Sequence, residues 1–462
     1  MRRAVLAGGA AVAAVLASAL GSAAANSAVR SSVGSNAVVT SVSCASDGSC
    51  AAGGHYLDAK LAGHAFVLTG KNGQWGKAIV VPGLAALKPT GASIESLSCA
   101  PAGGCVAAGT FLDASKGFHV FVTSEQNGRW SRPTTILTGK RSSRGIALSC
   151  PTTGSCAAGD GRLPFVVSEA HGRWGKAVTL PAANDKLDRD RVVVSCASAG
   201  NCSAGWGPFV VTEQNGRWGK AAAVLGLAKL GTAATITSVS CPAAANCAAG
   251  GIYLHKGAIE VFVASKRGGR WGQATELPGF TALNTEGFGD LAAVSCVSAG
   301  NCVAGGSYAA QADFAGGSFQ AFVASERNGR WGKAIEMPGI PAPSSAICEP
   351  DSGACVAGQT IAVSCSPGGT CAAGGWFDTP TIDGQAAFVS TYKNGTWAKA
   401  VQVPGLAALD TAKNSRVQSV ACTPTGSCAA GGSYSTTTRR IDPAFLTFEK
   451  NGTWGQAQTV RF

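Results

Sequence analysis

Every cysteine in this 462-residue sequence has a close partner. The eighteen form nine pairs: Cys44 with Cys50, Cys99 with Cys105, Cys150 with Cys156, Cys196 with Cys202, Cys241 with Cys247, Cys296 with Cys302, Cys348 with Cys355, Cys365 with Cys371 and Cys422 with Cys428. Eight pairs enclose five residues; the pair of Cys348 and Cys355 encloses six. Thiols in such a pattern either close disulfides or hold a metal. Structural zinc favours about two to four residues between paired ligands, with a second pair nearby, and the five histidines do not follow the cysteines. An even count with nothing left over predicts disulfides formed in an oxidising compartment.

Other chemistry is sparse. There is no zinc-protease HExxH, no nucleophile elbow, no phosphate loop and no dinucleotide fingerprint. His55, His64, His119, His171 and His255 are scattered, with no acid at a fixed distance in sequence. Asp185, Asp188 and Asp190 are spaced like calcium ligands, but Lys186, Arg189 and Arg191 interleave with them, so a solvated loop is expected. No metal or cofactor is expected.

The cysteine pairs are punctuation in a larger repeat. Its cleanest copy runs from Thr237 to Ala274, and eight copies fill the chain. Each has four short segments rich in Val, Ile, Phe, Tyr and Trp, bounded by Gly, Asn and Pro, which is strand chemistry. We call them a, b, c and d. The cysteines bracket the a–b turn. The c–d turn is Asn-Gly in six copies (Asn72-Gly73 is the first), His171-Gly172 in one and Gly268-Gly269 in another. Such pairs tolerate the positive φ of a two-residue hairpin. Two residues after each Gly stands a tryptophan, from Trp75 to Trp454, whose recurrence marks it as packing between neighbouring sheets. The expected fold class is all-β: a single eight-bladed β-propeller of four-stranded antiparallel blades over residues 38–462. Ile347 to Gln359 carries its own cysteine pair but no tryptophan half, and reads as a vestigial a–b half-unit. Ring closure is assigned to the lead, residues 26–37.

Residues 1–25 read as a secretory signal: Arg2 and Arg3, then a small apolar run, then Ala23-Ala24-Ala25. A membrane anchor is the alternative. Net charge is +12, or +10 without Arg2 and Arg3. The c–d windows hold 17 Lys/Arg against five acids, Glu125, Glu169, Glu213, Glu326 and Glu449, which makes the turn face basic. That rim would hold anionic wall polymer, or merely block edge pairing of the outer strands.

The units VSC-x5-C-x-AGG-x-Y and NG-x-W resemble those of secreted β-propeller repeat proteins of actinobacteria. The resemblance covers most of the chain and implies architecture rather than activity. There is a distant likeness to the Asp-box of sialidase-like propellers at Ser124 to Trp130, but the Asp is missing and the Trp is one residue early.

Variable loops on a rigid scaffold are the usual binding surface, which points to the b–c and d–a loops near the channel. An aromatic ends strand b in six units: Tyr56, Phe111, Tyr253, Tyr308, Phe377 and Tyr434. These either stack on sugar rings or pack between blades. Trp206 and Trp376 lie near the same loops and do not recur. The expected protein is a secreted, monomeric, non-enzymatic binding or scaffold protein at the cell envelope, with a glycan or extracellular protein as partner and no nucleic acid. The alternative is a polysaccharide-active glycosidase or lyase using loop carboxylates such as Asp58, Asp113, Asp313 or Asp378.

Overall fold

The computed structural model describes residues 36–139, 145–161, 164–182, 191–310, 318–340, 355–356, 358–379, 384–437 and 442–462. The signal stretch, most of the lead, Asp185 to Asp190, Asp313 and Cys348 lie outside them.

Eight antiparallel sheets follow one another along the chain. Blade 1 is typical: Val38–Cys44, Ser49–Leu57, Gly63–Lys71, and an outer strand in two pieces, Gln74–Trp75 and Ile79–Val80. The c–d hairpins take two consecutive positive φ values, 51° at Asn72 and 84° at Gly73, for example, which matches the right-handed twist of the flanking strands.

Eight of the cysteine pairs are disulfides. Cys44 is bonded to Cys50, Cys99 to Cys105, Cys150 to Cys156, Cys196 to Cys202, Cys241 to Cys247, Cys296 to Cys302, Cys365 to Cys371 and Cys422 to Cys428. The ninth pair cannot be placed in this set, since Cys348 is outside the described residues. Cys44 is directly opposite Cys50 in the a–b ladder, as Cys365 is opposite Cys371 and Cys422 opposite Cys428. Each bond closes a short loop and stabilises by about 2 kcal/mol in the chain-entropy account, so it pins hairpin register. These cysteines are structural. The second of each pair is almost wholly enclosed, as at Cys156, Cys202, Cys247, Cys302, Cys371 and Cys428, and packs into the core between blades.

Neighbouring blades are joined by packing and by a repeated hydrogen bond. In the VSC motif the serine hydroxyl accepts from the cysteine amide of the next inner strand: Cys99 N–H to Ser43 at 2.9 Å, Cys241 N–H to Ser195 at 2.9 Å, Cys422 N–H to Ser364 at 3.0 Å. The tryptophans lie between blades as expected. The Trp218 indole donates to Ser168 of the preceding blade at 2.8 Å, and that of Trp454 to Thr391 at 3.2 Å.

The ring closes directly between blades 8 and 1. Ala78 N–H donates to Arg461 O at 2.6 Å, Val42 N–H to the Ser419 hydroxyl at 3.0 Å, and Ala37 N–H to Asp442 O at 2.6 Å. Phe462 packs on Tyr56 and Phe66, with ring centroids 4.7 and 5.1 Å away. Of the lead, only Asn36 and Ala37 can be assigned a part in closure among the described residues.

Two local details lie outside the regular repeat of strands. Single helical turns, such as Phe280–Leu283 and Leu406–Leu409, occupy d–a loops, each entered through a left-handed Gly and burying its first side chain. Four residues are too few to show a helical period. The other lies in the expected 347–359 half-unit, most of which, Cys348 included, is outside the described residues. Cys355–Val356 pairs parallel to strand c of blade 6, while Gly358 and Gln359 open the inner strand of blade 7. The extra segment therefore widens one blade and feeds the next.

Candidate functional site at the channel mouth

Six of the eight inner strands carry a β-bulge four residues before the cysteine. The bulged residues are Thr40, Glu95, Thr237, Ala292, Ile361 and Gln418. The room for it is made across the ladder. Four residues after the second cysteine, those same blades have glycine, and a Cβ there would collide with a strand-a carbonyl: Gly54 with Val38 O, Gly375 with Gln359 O, Gly432 with Arg416 O. Blades 3 and 4 have Asp160 and Trp206 at that position and pair without the bulge. Their equivalents of Thr40, Ile146 and Val192, are buried in the core instead.

A bulge re-aims a side chain, and here it builds a wall. A cavity of about 710 Å³ opens at the loop end of the channel, lined by the bulge residues of four consecutive blades, Thr237, Ala292, Ile361 and Gln418. Arg191, Asp290, Gln359, Trp376 and Arg416 complete its polar lining. Asp290 and Arg416 are the first residues of their inner strands, which places them at the rim. None of the disulfide cysteines lines this cavity.

Arg416 is the most constrained of these groups. Its Nε–H and one Nη–H donate to Gln385 Oε1, at 2.9 and 2.6 Å. The guanidinium lies 5.1 Å over the Trp376 ring, a cation–π distance. Trp376 is 8% exposed, so it serves as the plank beneath Arg416 rather than as a stacking surface. Nearby, burial pushes the Asp378 carboxyl up to about 6, against the opposing pull of Gln385 and Arg416.

The strand-b aromatics do not form a ligand platform. Phe111, Tyr253, Tyr308 and Tyr434 are all under 5% exposed. Tyr308 and Tyr434 reach across their own blades to Glu336 and Thr459, each at 2.9 Å. Tyr56 and Phe377 are half-buried and pack against the cores of blades 1 and 7. Trp206 is buried, its indole donating to Pro181 O at 2.9 Å. The five buried rings, Phe111, Trp206, Tyr253, Tyr308 and Tyr434, have no face left for a sugar. Trp376 alone among the eight lines the cavity.

Two carboxylates do meet histidines. His64 Nε2 is 2.9 Å from Asp58 and His119 Nε2 is 2.9 Å from Asp113, in equivalent b–c loops. This corrects the expectation that the histidines have no acid at a fixed distance: both pairs are six residues apart, a D-x5-H spacing visible in the sequence once the two blades are aligned. Each aspartate also accepts backbone N–H groups of its own loop, and the histidine bond first, with these backbone bonds added, holds both carboxyls below the usual range. His64 stacks on Tyr56 and His119 on Phe111. These dyads brace loops; each carboxylate is committed locally. Among the described residues no cluster of three or more metal-ligating side chains occurs.

No protein family matches this sequence, and no curated protein does. Solved structures are similar in fold. The GH74 xyloglucanase from Xanthomonas campestris aligns at 15% identity and TM-score 0.44, over 90% of this chain and 58% of its own length. The β-propeller domain of the trilobed protease from Pyrococcus furiosus aligns at 7% identity and TM-score 0.43, over 92% and 96%. The six-bladed fungal lectin from Aleuria aurantia aligns at 9% identity and TM-score 0.35, over 78% and 93%. This chain thus spans little more than half of the xyloglucanase, and none of the three assigns it an activity.

Proposed function

We propose that the chain is an exported, non-enzymatic binding protein of the cell envelope that takes a glycan at the channel mouth. The observation that carries this reading is the cavity itself. Its walls come from the inner ends of successive blades and present a guanidinium held at a fixed angle, a carboxylate and two carboxamides. Such groups match the dense donors and acceptors of a sugar better than an apolar ligand. Export is supported by the eight disulfides and by the resemblance of the repeat to secreted actinobacterial propellers. Among the described residues no helix is long and apolar enough to cross a membrane.

The test is retention on a panel of immobilised cell-wall and plant polysaccharides, with released sugar measured in the same samples. Retention without release is expected, weakened at least tenfold by Arg416→Ala and by Gln418→Ala. Retention indifferent to both changes removes the channel mouth from the account. No retention on any polysaccharide shifts the search to a protein ligand.

One observation supports a second reading, a polysaccharide hydrolase or lyase. Asp378, shifted up to about 6, is suited to donate a proton near neutrality. Under that reading sugar is released, and Asp378→Asn abolishes release while sparing retention.

A further inference from the structure

Burial changes the charge balance of the turn face. The c–d windows contain 17 bases and five acids, yet the five glutamates are all buried, while 16 of the bases are exposed and Lys266 alone is enclosed. Glu125 and Glu449 are spent on the amides of their own turns, at Gly128 and Gly452. Glu213 and Glu326 take serine hydroxyls of the preceding blade, Ser168 and Ser265. Four of the five are held above the usual carboxylate range by burial.

The a–b turns share this face, hydrogen-bonded to the c–d turns beside them, as Gly216 N–H to Gly200 O at 2.9 Å shows. They add one acid, Asp47, which Lys71 pairs at 3.2 Å, and no base. Within this surface Arg129, Arg173, Arg217, Arg270 and Arg330 occupy one equivalent position, directly before the tryptophan, on five consecutive blades. All five are exposed.

We propose that this arginine arc is a docking track for an extended linear polyanion, a polymer bearing phosphate or acidic-sugar charge at regular intervals. The cations are distributed one position per blade along an arc and do not converge. A compact anion meets one or two of them, whereas a chain lying along the arc meets all five. Single contacts between exposed charges are screened within about 8 Å at physiological salt, so binding depends on their number and falls steeply with salt. The arc is at the opposite end of the strands from the channel mouth, so the two surfaces can be tested separately.

The full mature chain is titrated against long-chain inorganic polyphosphate and polygalacturonate, with tripolyphosphate and phosphatidylglycerol vesicles as comparisons. Binding to at least one long polymer is expected; which one it is separates phosphate from carboxylate chemistry. Changing all five arginines to Gln is expected to weaken it at least tenfold and to lower the salt slope by roughly one per contacting Arg. Far-ultraviolet circular dichroism and Tm check that the exposed changes leave the fold intact, and the double variant R217Q/R270Q gives a smaller loss in the same direction. The proposal is overturned if neither polymer binds, if the variants bind as wild type, if tripolyphosphate binds as tightly as the long chain, or if only vesicles bind. Arg416→Ala leaves this binding unchanged, which separates its failure from failure of the glycan site.

Discussion

The Ser43 hydroxyl accepts the backbone N–H of Cys99 at 2.9 Å, and the same two positions are joined at seven of the eight blade junctions. The exception is the seam. Blade 8 has Ala421 where the others have serine, so it offers no hydroxyl to Cys44. The seam keeps two bonds that recur at other junctions, Val42 N–H to Ser419, as Leu97 N–H to Ser41, and Ala78 N–H to Arg461 O, as Ala457 N–H to Pro404 O, and adds the packing of Phe462 on Tyr56. Ala421→Ser should complete the circle and stabilise by about 1 kcal/mol, the net worth of a typical buried hydrogen bond. A higher Tm checks this; a lower one shows that the seam has no room for the hydroxyl.

Phe462 is the outermost clamp of the same seam. Phe462→Ala exposes Tyr56 and Phe66 and should cost about 1–2 kcal/mol. Denaturant unfolding checks it, and limited proteolysis should cut first at the junction of blades 8 and 1.

The glycine at the fourth position after the second cysteine is required by the bulge. Gly375→Ala forces a Cβ against the Gln359 carbonyl and should destabilise by about 1–3 kcal/mol. It should also disturb Ile361 and Gln359, and with them the channel mouth. Ala at Gly128, where a Cβ meets nothing within 4 Å but φ is 78°, probes backbone strain alone; binding at the mouth should survive that change.

Glu169, Glu213, Glu326 and Glu449 are raised above 4.5 chiefly by burial. The folded state therefore binds more protons than the unfolded one, so their contribution is fully present below 4.5 and lost as pH rises through the folded values. Glu213→Gln removes one such group, and its stability relative to wild type should rise as pH is taken from about 4 to about 8. Urea midpoints across that range measure the difference; a flat difference means Glu213 titrates normally.

The turns, strands and cysteine pairs could be read without a structure because each depends on contacts within a few residues. Asn72-Gly73 sets its own φ values, and Cys44 meets Cys50 across a single turn, as Cys150 meets Cys156. Residues repeated eight times at one spacing then imply one blade per repeat. The D-x5-H pairs were equally local, and only an alignment of blades 1 and 2 was needed to see them.

What the tertiary structure decided is where side chains point and which charges meet water. Tyr308 and Arg330 are both amphipathic residues at strand ends, but one is enclosed by its own blade and the other projects from the rim. Glu213 is opposite Trp218 at a turn that reads as solvated, yet Ser168 and the blade before it close over the carboxylate. A bulge accommodated by Gly432 turns Gln418 into the channel, and with Trp206 at the matching place Val192 stays in the core. Such outcomes depend on the partner strand across the ladder, as Gln418 does on Gly432, or on a neighbouring blade 47 to 70 residues away, as in the Ser149–Cys196 and Ser295–Cys365 bonds. Local pattern carries strand and turn; burial is a property of the assembled ring.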